Sequence, residues 1–237
     1  LTNLKPLAPE LVDDLLVGNR ILYKYGIVDA FGHISVRHDA DPGKYVMSRH
    51  LAPGLVTADD LLTYDLDSNP VTPTAHRLYS ERYIHGEIYK QRPDVVSVIH
   101  CHAPALIPFG ITKAQLLPVY HMSAFLGAGV PTFEIRETAG MTDMLIRTAP
   151  IGKALATNLG AKPMILMRGH GATMVGKTIQ HAVYRAMYAA QNAEIQLEAL
   201  RLGEVTYLAP EEAERYERYS DDVIHRPWNL WKHELVG

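Results

Sequence analysis

The residues best suited to chemistry lie between Glu81 and His102, with one more imidazole far downstream. The run Val95-Val96-Ser97-Val98-Ile99-His100-Cys101-His102 is short, β-branched and preceded by Pro93, which predicts a strand. Residues two apart on a strand share a face, so His100 and His102 point the same way. Just upstream, Leu78, Ile84, Ile88 and Tyr89 fall near helical spacing, and this helix would deliver the Glu81 carboxylate to the imidazole pair. A His-x-His pair alone is more often packing than a site. Here a third imidazole, His170, stands between Gly169 and Gly171, where the apolar run Met164-Ile165-Leu166-Met167 ends in a tight turn. Flanking glycines let the backbone approach whatever that ring binds. Three imidazoles and a carboxylate, with room for water or substrate, suit a divalent ion in an open catalytic site better than in a closed structural one.

Those groups need a scaffold, and the rest of the chain supplies alternating patterns for one. Residues 9–25 read as an amphipathic helix with Leu11, Leu15, Leu16, Asn19, Leu22 and Tyr23 in one stripe, stopped by Gly26. Residues 31–37 predict a strand, Asp41-Pro42-Gly43 a turn, and residues 45–48 the hairpin partner. Residues 49–54 read as a loop, 57–60 as a short capped turn and 61–66 as a further strand. Pro104, Pro108 and Pro118 limit long helices between 103 and 129, where Tyr120-His121-Met122 opens a short helical or loop segment. Downstream, strands are predicted at 132–135, 164–167 and 172–175, and helices at 151–159, 178–200 and 211–219. The tail Arg226-Pro227-Trp228-Asn229-Leu230-Trp231 is aromatic and reads as broken by proline. Two tryptophans are rarely left in water, so it should pack on its own subunit or a neighbour. The mixture without strict alternation predicts an α/β or α+β fold with one main sheet covered by helices.

Whole-chain properties narrow the classes. At 237 residues with 47% hydrophobic content the chain can bury a full core, and one domain over 1–237 is expected. A formal charge of -3 gives no basic excess for nucleic acid, and no apolar run approaches a membrane span. The start does not look like a signal peptide. One cysteine, Cys101, excludes an internal disulfide framework and fits a reducing, cytoplasmic compartment.

In this order and spacing, Glu81, the His100-x-His102 pair and the His170-Gly171 turn resemble the class II aldolase/adducin N-terminal family, over roughly Leu11 to Leu202. The resemblance implies a three-layer α/β/α fold whose central sheet is mainly antiparallel, assembled as a homotetramer or other homo-oligomer with the active site between subunits. Residues 211–237 would then pack at a subunit interface. It implies one divalent ion per subunit on His100, His102 and His170, zinc or manganese, with iron or cobalt also compatible. Glu81 would be a ligand in the resting site and an acid/base during turnover.

Two departures redirect the expected substrate. Sugar-phosphate aldolases of the family cradle phosphate with a Gly-Asn-x-Ser turn, a Thr-Pro-Ser-Gly-like loop and a Ser-Ser before the glutamate. Here these are Gly32-His33-Ile34-Ser35, Ser48-Arg49-His50-Leu51 and Tyr79-Ser80, so imidazoles and a phenol replace donors suited to phosphate. With Ile84-His85-Gly86-Glu87-Ile88-Tyr89 and Met167-Arg168-Gly169-His170-Gly171, these segments look more like the family's decarboxylase branch, which acts on hydroxylated aromatic or pyridine carboxylates. The chemistry is consistent: aldol cleavage and decarboxylation of an ortho-hydroxy acid both need an electron sink, which a Lewis-acidic ion supplies.

Glu81 is the first choice of proton donor. His33 and His50 occupy the former phosphate site and are catalytic candidates beside Glu81, where they touch substrate or hold a hairpin loop. Ser80, Tyr120 and His121 are candidates for the pocket lining. Arg168 holds a substrate carboxylate or a structural ion pair. His85, one turn after Glu81, orients that carboxylate or is a core histidine. The expected function is a metal-dependent, non-oxidative decarboxylase of a hydroxy-carboxylate. Alternatives are an aldolase on an unphosphorylated hydroxy-keto substrate, an iron-dependent oxidative decarboxylase, and a non-enzymatic adducin-like module.

Overall fold

Strand alternation builds one seven-stranded sheet with two different faces. The computed structural model describes residues 5–235; the signal-peptide expectation rests mainly on residues 1–4, which lie outside them. The strands are β1 (His33–Arg37), β2 (Lys44–Ser48), β3 (Leu61–Asp65), β4 (Ser97–Cys101), β5 (Thr132–Phe133), β6 (Met164–Met167) and β7 (Gly171–Gly176), in the order β3-β2-β1-β4-β7-β6-β5. Every neighbouring pair is antiparallel except β5 with β6. The helices are α1 (Pro9–Lys24), α2 (Arg82–Gln91), α3 (Ile107–Ile111), α4 (Ile135–Ala139), α5 (Ala149–Leu159), α6 (Ile179–Leu202), α7 (Pro210–Val223) and α8 (His225–Glu234).

On one face, Ile34, Val36, Ile99 and Met174 pack with Leu15 and Ile21 of α1, Val183 of α6, and Trp228 and Trp231 of α8. On the other, Tyr45, Met47, Val98 and Val175 pack with Ile84 and Ile88 of α2 and Leu155 and Leu159 of α5. Each such aliphatic side chain contributes roughly 1.5–3 kcal/mol on burial. Because strand side chains alternate, His100 shares the α2/α5 face with Val98 while Ile99 and Cys101 face α1 and α6. The expected three-layer architecture with a mainly antiparallel sheet is what the chain forms.

Three local expectations are corrected. The strand predicted at 132–135 stops at Phe133, because the Glu134 side chain accepts the Arg136 N–H and caps α4 instead. The long helix runs on to Leu202 before Gly203. The aromatic tail is not broken: Pro227 sits in the first turn of α8, where no helical hydrogen bond is lost. Trp228 and Trp231 are then three apart on one helix side and are both buried in their own chain. Among the described residues no helix is long and apolar enough to cross a membrane.

Candidate active site

Four groups from three places in the fold converge at the end of β4. His100 and His102 bring their Nε2 atoms within 3.0 Å of each other. His170 arrives from the turn between β6 and β7, and β7 lies beside β4 with Thr173 opposite His100. That turn needs its glycines: Gly169 has φ +63°, and a Cβ on Gly171 would meet the Cys101 carbonyl oxygen at 2.1 Å. Glu81 is the N-cap residue of α2. Its Oε1 accepts the Ile146 N–H at 2.9 Å, which leaves Oε2 facing His170 Nε2 at 3.5 Å and His100 Nε2 at 3.7 Å. The four ligand atoms all lie within 4.8 Å of one another.

The proton positions follow from the partners. His100 Nδ1 and His170 Nδ1 each lie 3.1 Å from a backbone carbonyl, of Ala172 and Met144 respectively. A carbonyl only accepts, so both Nδ1 atoms carry a hydrogen and both Nε2 atoms are turned to the centre. His170 Nε2 is buried with no hydrogen-bond partner, a condition that proteins avoid. Burial pushes His100 well below the usual histidine range and lowers His102 as well, so both are in the neutral form that ligates metals. Burial also acts to raise the Glu81 carboxyl, but His170, His100 and the Ile146 N–H outweigh it and hold it at about 2. Three imidazoles and one carboxylate fit a divalent cation, which would occupy the place the orphaned nitrogen points to.

A cavity of about 280 Å³ opens beside this cluster, with Glu81 and His102 in its wall. His33, His50 and Ser80 also line it, so five of the residues singled out in the sequence meet in one place. Phe31 and Tyr79 add aromatic walls, and Arg77 and Arg147 add two guanidinium groups. Those two arginines were not singled out for the site in the sequence: they sit on loops without periodicity, and only Arg77's position four residues before Glu81 gives a hint. His85 turns toward His33, with His33 Nδ1 2.7 Å from His85 Nε2, and makes no hydrogen bond with the Glu81 carboxylate.

Three expected pocket residues lie elsewhere within one chain. Tyr120 donates its hydroxyl hydrogen to Gln191 Oε1 at 2.7 Å. His121 lines a second, tyrosine-rich cavity of about 620 Å³ beside α6, α7 and α8, its ring 4.7 Å from that of Tyr216. Arg168 has its Nε 2.7 Å from Glu134 Oε2, the ion-pair alternative of its two expected roles.

Residues 13–197 match the class II aldolase and adducin N-terminal domain. Decarboxylase tropJ of Talaromyces stipitatus is 38% identical over 248 residues, covering 94% of this chain and 93% of that protein. A 3,4-dihydroxyphthalate decarboxylase of Arthrobacter keyseri is 24% identical and covers 92% of this chain and 89% of its own length. An aldolase II superfamily protein from Pseudomonas syringae has the same fold, with a TM-score of 0.80 at 22% identity over 98% of this chain and 94% of that one. The chain therefore belongs to the class II aldolase and adducin N-terminal family, on its decarboxylase branch, and is an enzyme of the carbon–carbon lyase class.

Proposed function

We propose that the protein is a metal-dependent, non-oxidative decarboxylase of an ortho-hydroxy aromatic or pyridine carboxylate. The observation that carries this reading is the convergence of Glu81, His100, His102 and His170 beside an aromatic-walled cavity that also contains His33 and His50. The two named decarboxylases support it, one of them acting on a dihydroxylated aromatic dicarboxylate by its name. Zinc or manganese suits the donor set, and iron or cobalt is compatible with it.

When bound, the ion supplies a Lewis-acidic charge that draws electron density from a chelating hydroxy-carboxylate. The protein does the rest. His100, His102 and His170 turn ring nitrogens toward one another, with the Nδ1–H groups of His100 and His170 held by backbone carbonyls. Phe31 and Tyr79 offer flat surfaces to a ring, and Arg77 and Arg147 offer positive charge to a further carboxylate. Replacing a carbon–carboxylate bond by carbon–hydrogen is redox-neutral: the bonding pair stays on the ring carbon and takes up one proton. Glu81 is the proposed carrier of that proton, collected on Oε2 while Oε1 stays on the Ile146 N–H. Tyr120, His121 and residues 211–235 enter this reading through assembly, as parts of a homo-oligomer in which they reach a neighbour's cavity, while Arg168 keeps its ion pair with Glu134.

The test is anaerobic carbon dioxide release from a panel of ortho-hydroxy aromatic and pyridine carboxylates, using protein reloaded with zinc, manganese or iron. Release without oxygen that a chelator abolishes is the expected result. Activity confined to iron and air would replace this reading with the oxidative one. Silence on every acid, with cleavage of an unphosphorylated hydroxy-ketone, would replace it with aldol chemistry.

A further inference from the structure

A file of four buried polar side chains leads away from the cavity wall. His33 Nδ1 lies 2.7 Å from His85 Nε2, and His85 Nδ1 lies 2.6 Å from Ser35 Oγ. Ser35 Oγ lies 2.7 Å from Tyr89 Oη, and Tyr89 Oη lies 3.3 Å from the Val96 carbonyl oxygen. Two periodicities build the file: His33 and Ser35 are two apart on β1, while His85 and Tyr89 are four apart on α2. None of the four is more than 4% exposed.

The polarity of this file can be counted. Tyrosine and serine have one hydroxyl hydrogen each, and a neutral imidazole has one N–H. The Val96 carbonyl can only accept. One of its lone pairs takes the Arg37 N–H at 2.7 Å, which leaves the other for Tyr89. If Tyr89 donates to Val96, Ser35 donates to Tyr89, His85 Nδ1–H to Ser35, and His33 Nδ1–H to His85 Nε2. Four hydrogens then serve four contacts. The opposite polarity serves three, and sets the Tyr89 and Val96 oxygens against each other at 3.3 Å with no hydrogen between them. In the favoured direction the hydrogen on His33 is on Nδ1, and its Nε2 is a bare lone pair on a residue that lines the cavity beside Glu81 and His102.

We infer that the His85–Ser35–Tyr89 file fixes His33 in its Nδ1–H tautomer, which leaves His33 Nε2 as the hydrogen-bond acceptor that orients the substrate's hydroxyl. No bond breaks at His33: the hydroxyl hydrogen stays on its oxygen and points at Nε2, which sets the direction of the oxygen lone pairs. His85, Ser35 and Tyr89 are positioning residues, and His33 in its resting form is excluded as the donor to the ring carbon. The identity of the hydroxyl rests on the decarboxylase reading above; the tautomer does not.

The experiment is nitrogen-15 correlation spectroscopy of the zinc-loaded, histidine-labelled protein, with the His33 signals identified by loss in His33→Gln. A pyrrole-like Nδ1 and a pyridine-like Nε2 are expected, and a pyrrole-like Nε2 in the wild type overturns the proposal without any further variant. In Tyr89→Phe the terminal hydrogen is gone and Ser35 is free to donate to His85, so the file can reverse. There the Nε2–H form should gain population while kcat falls about tenfold at unchanged KM and zinc content. An unchanged kcat in a variant whose tautomer has shifted overturns the catalytic role of Nε2. The expected tautomer in a protein that decarboxylates nothing overturns the hydroxyl as the donor to Nε2, and with it the decarboxylase reading, while the polarity of the file stands.

Discussion

Both faces of the sheet bury polar side chains, but they leave different remainders. On the α1/α6 face, Asn192 and Gln196 stand one turn apart on α6 and are 0% and 1% exposed. Asn192 accepts the Val119 N–H and donates to the Leu117 carbonyl, while Gln196 accepts the Leu117 N–H and donates to the Gln115 carbonyl. Each amide is satisfied on both sides, and together they clamp an extended segment. On the α2/α5 face, His33, His100 and His170 are also tied down, but each through Nδ1 alone. His170 Nε2 is orphaned, His100 and His102 turn their Nε2 atoms to each other, and His33 Nε2 faces the cavity. Full satisfaction marks a structural polar cluster, and a shared unsatisfied direction marks a functional one.

The sharpest way to break that comparison is to remove a remainder. His170→Ala should abolish stoichiometric metal and reduce turnover to background, measured by metal analysis on folded protein alongside carbon dioxide release. Chelating the wild-type protein should lower its Tm, and adding zinc back should restore it, because a ligand that binds only the folded form stabilises it by mass action. Full metal content in His170→Ala would remove the orphaned nitrogen from the argument. Next in size, Glu81→Gln keeps the shape and the oxygen that accepts from Ile146 but cannot carry the proton. Turnover should fall by roughly 10²–10⁴-fold with circular dichroism unchanged, and near-normal rates would move the acid/base role to another group.

Much of the catalytic face was legible in the sequence because it obeys short-range periods. The two-residue alternation aimed His100 and His102 together, and glycines on both sides of His170 announced a close backbone approach. What holds these groups was not legible. The Ile146 amide that seats Glu81 is 65 residues away in a loop, where no period marks it. His85 sits one turn beyond Glu81 and so reads as that carboxylate's neighbour, yet its bonds cross to β1, 52 residues back to His33 and 50 to Ser35. The layers of the fold are legible in the sequence, whereas the ends of its elements are not. Proline in the tail suggested a break, whereas in the first turn of a helix it displaces no hydrogen bond.

The closed cluster gives the converse prediction. Gln196→Ala would remove the partner of both the Leu117 N–H and the Gln115 carbonyl, two part-buried hydrogen bonds, at a cost of about 1–3 kcal/mol. Denaturant unfolding should show that loss, while metal content and kcat per folded molecule stay as in the wild type. A drop in metal content would mean that the two faces are coupled and that the distinction between them is one of degree.

The smallest effect is expected at the mouth of the cavity. Arg77 is exposed there, and Arg147 already spends its Nε on Asp143 at 2.6 Å. A guanidinium in that position acts on binding rather than on bond cleavage, since it stands exposed at the rim while Glu81 and His102 of the ligand set lie in the less exposed wall that serves as the floor. Arg77→Ala should therefore raise KM about tenfold for a substrate with a second carboxylate, the lower end of what a charge-assisted hydrogen bond contributes, and leave kcat alone. The same substitution tested on a monocarboxylate should change KM little. If KM rises equally for both acids, the guanidinium holds the carboxylate that leaves, and rim and floor share one binding mode. If kcat falls instead, Arg77 acts on the transition state, and the division between a binding rim and a reacting floor gives way.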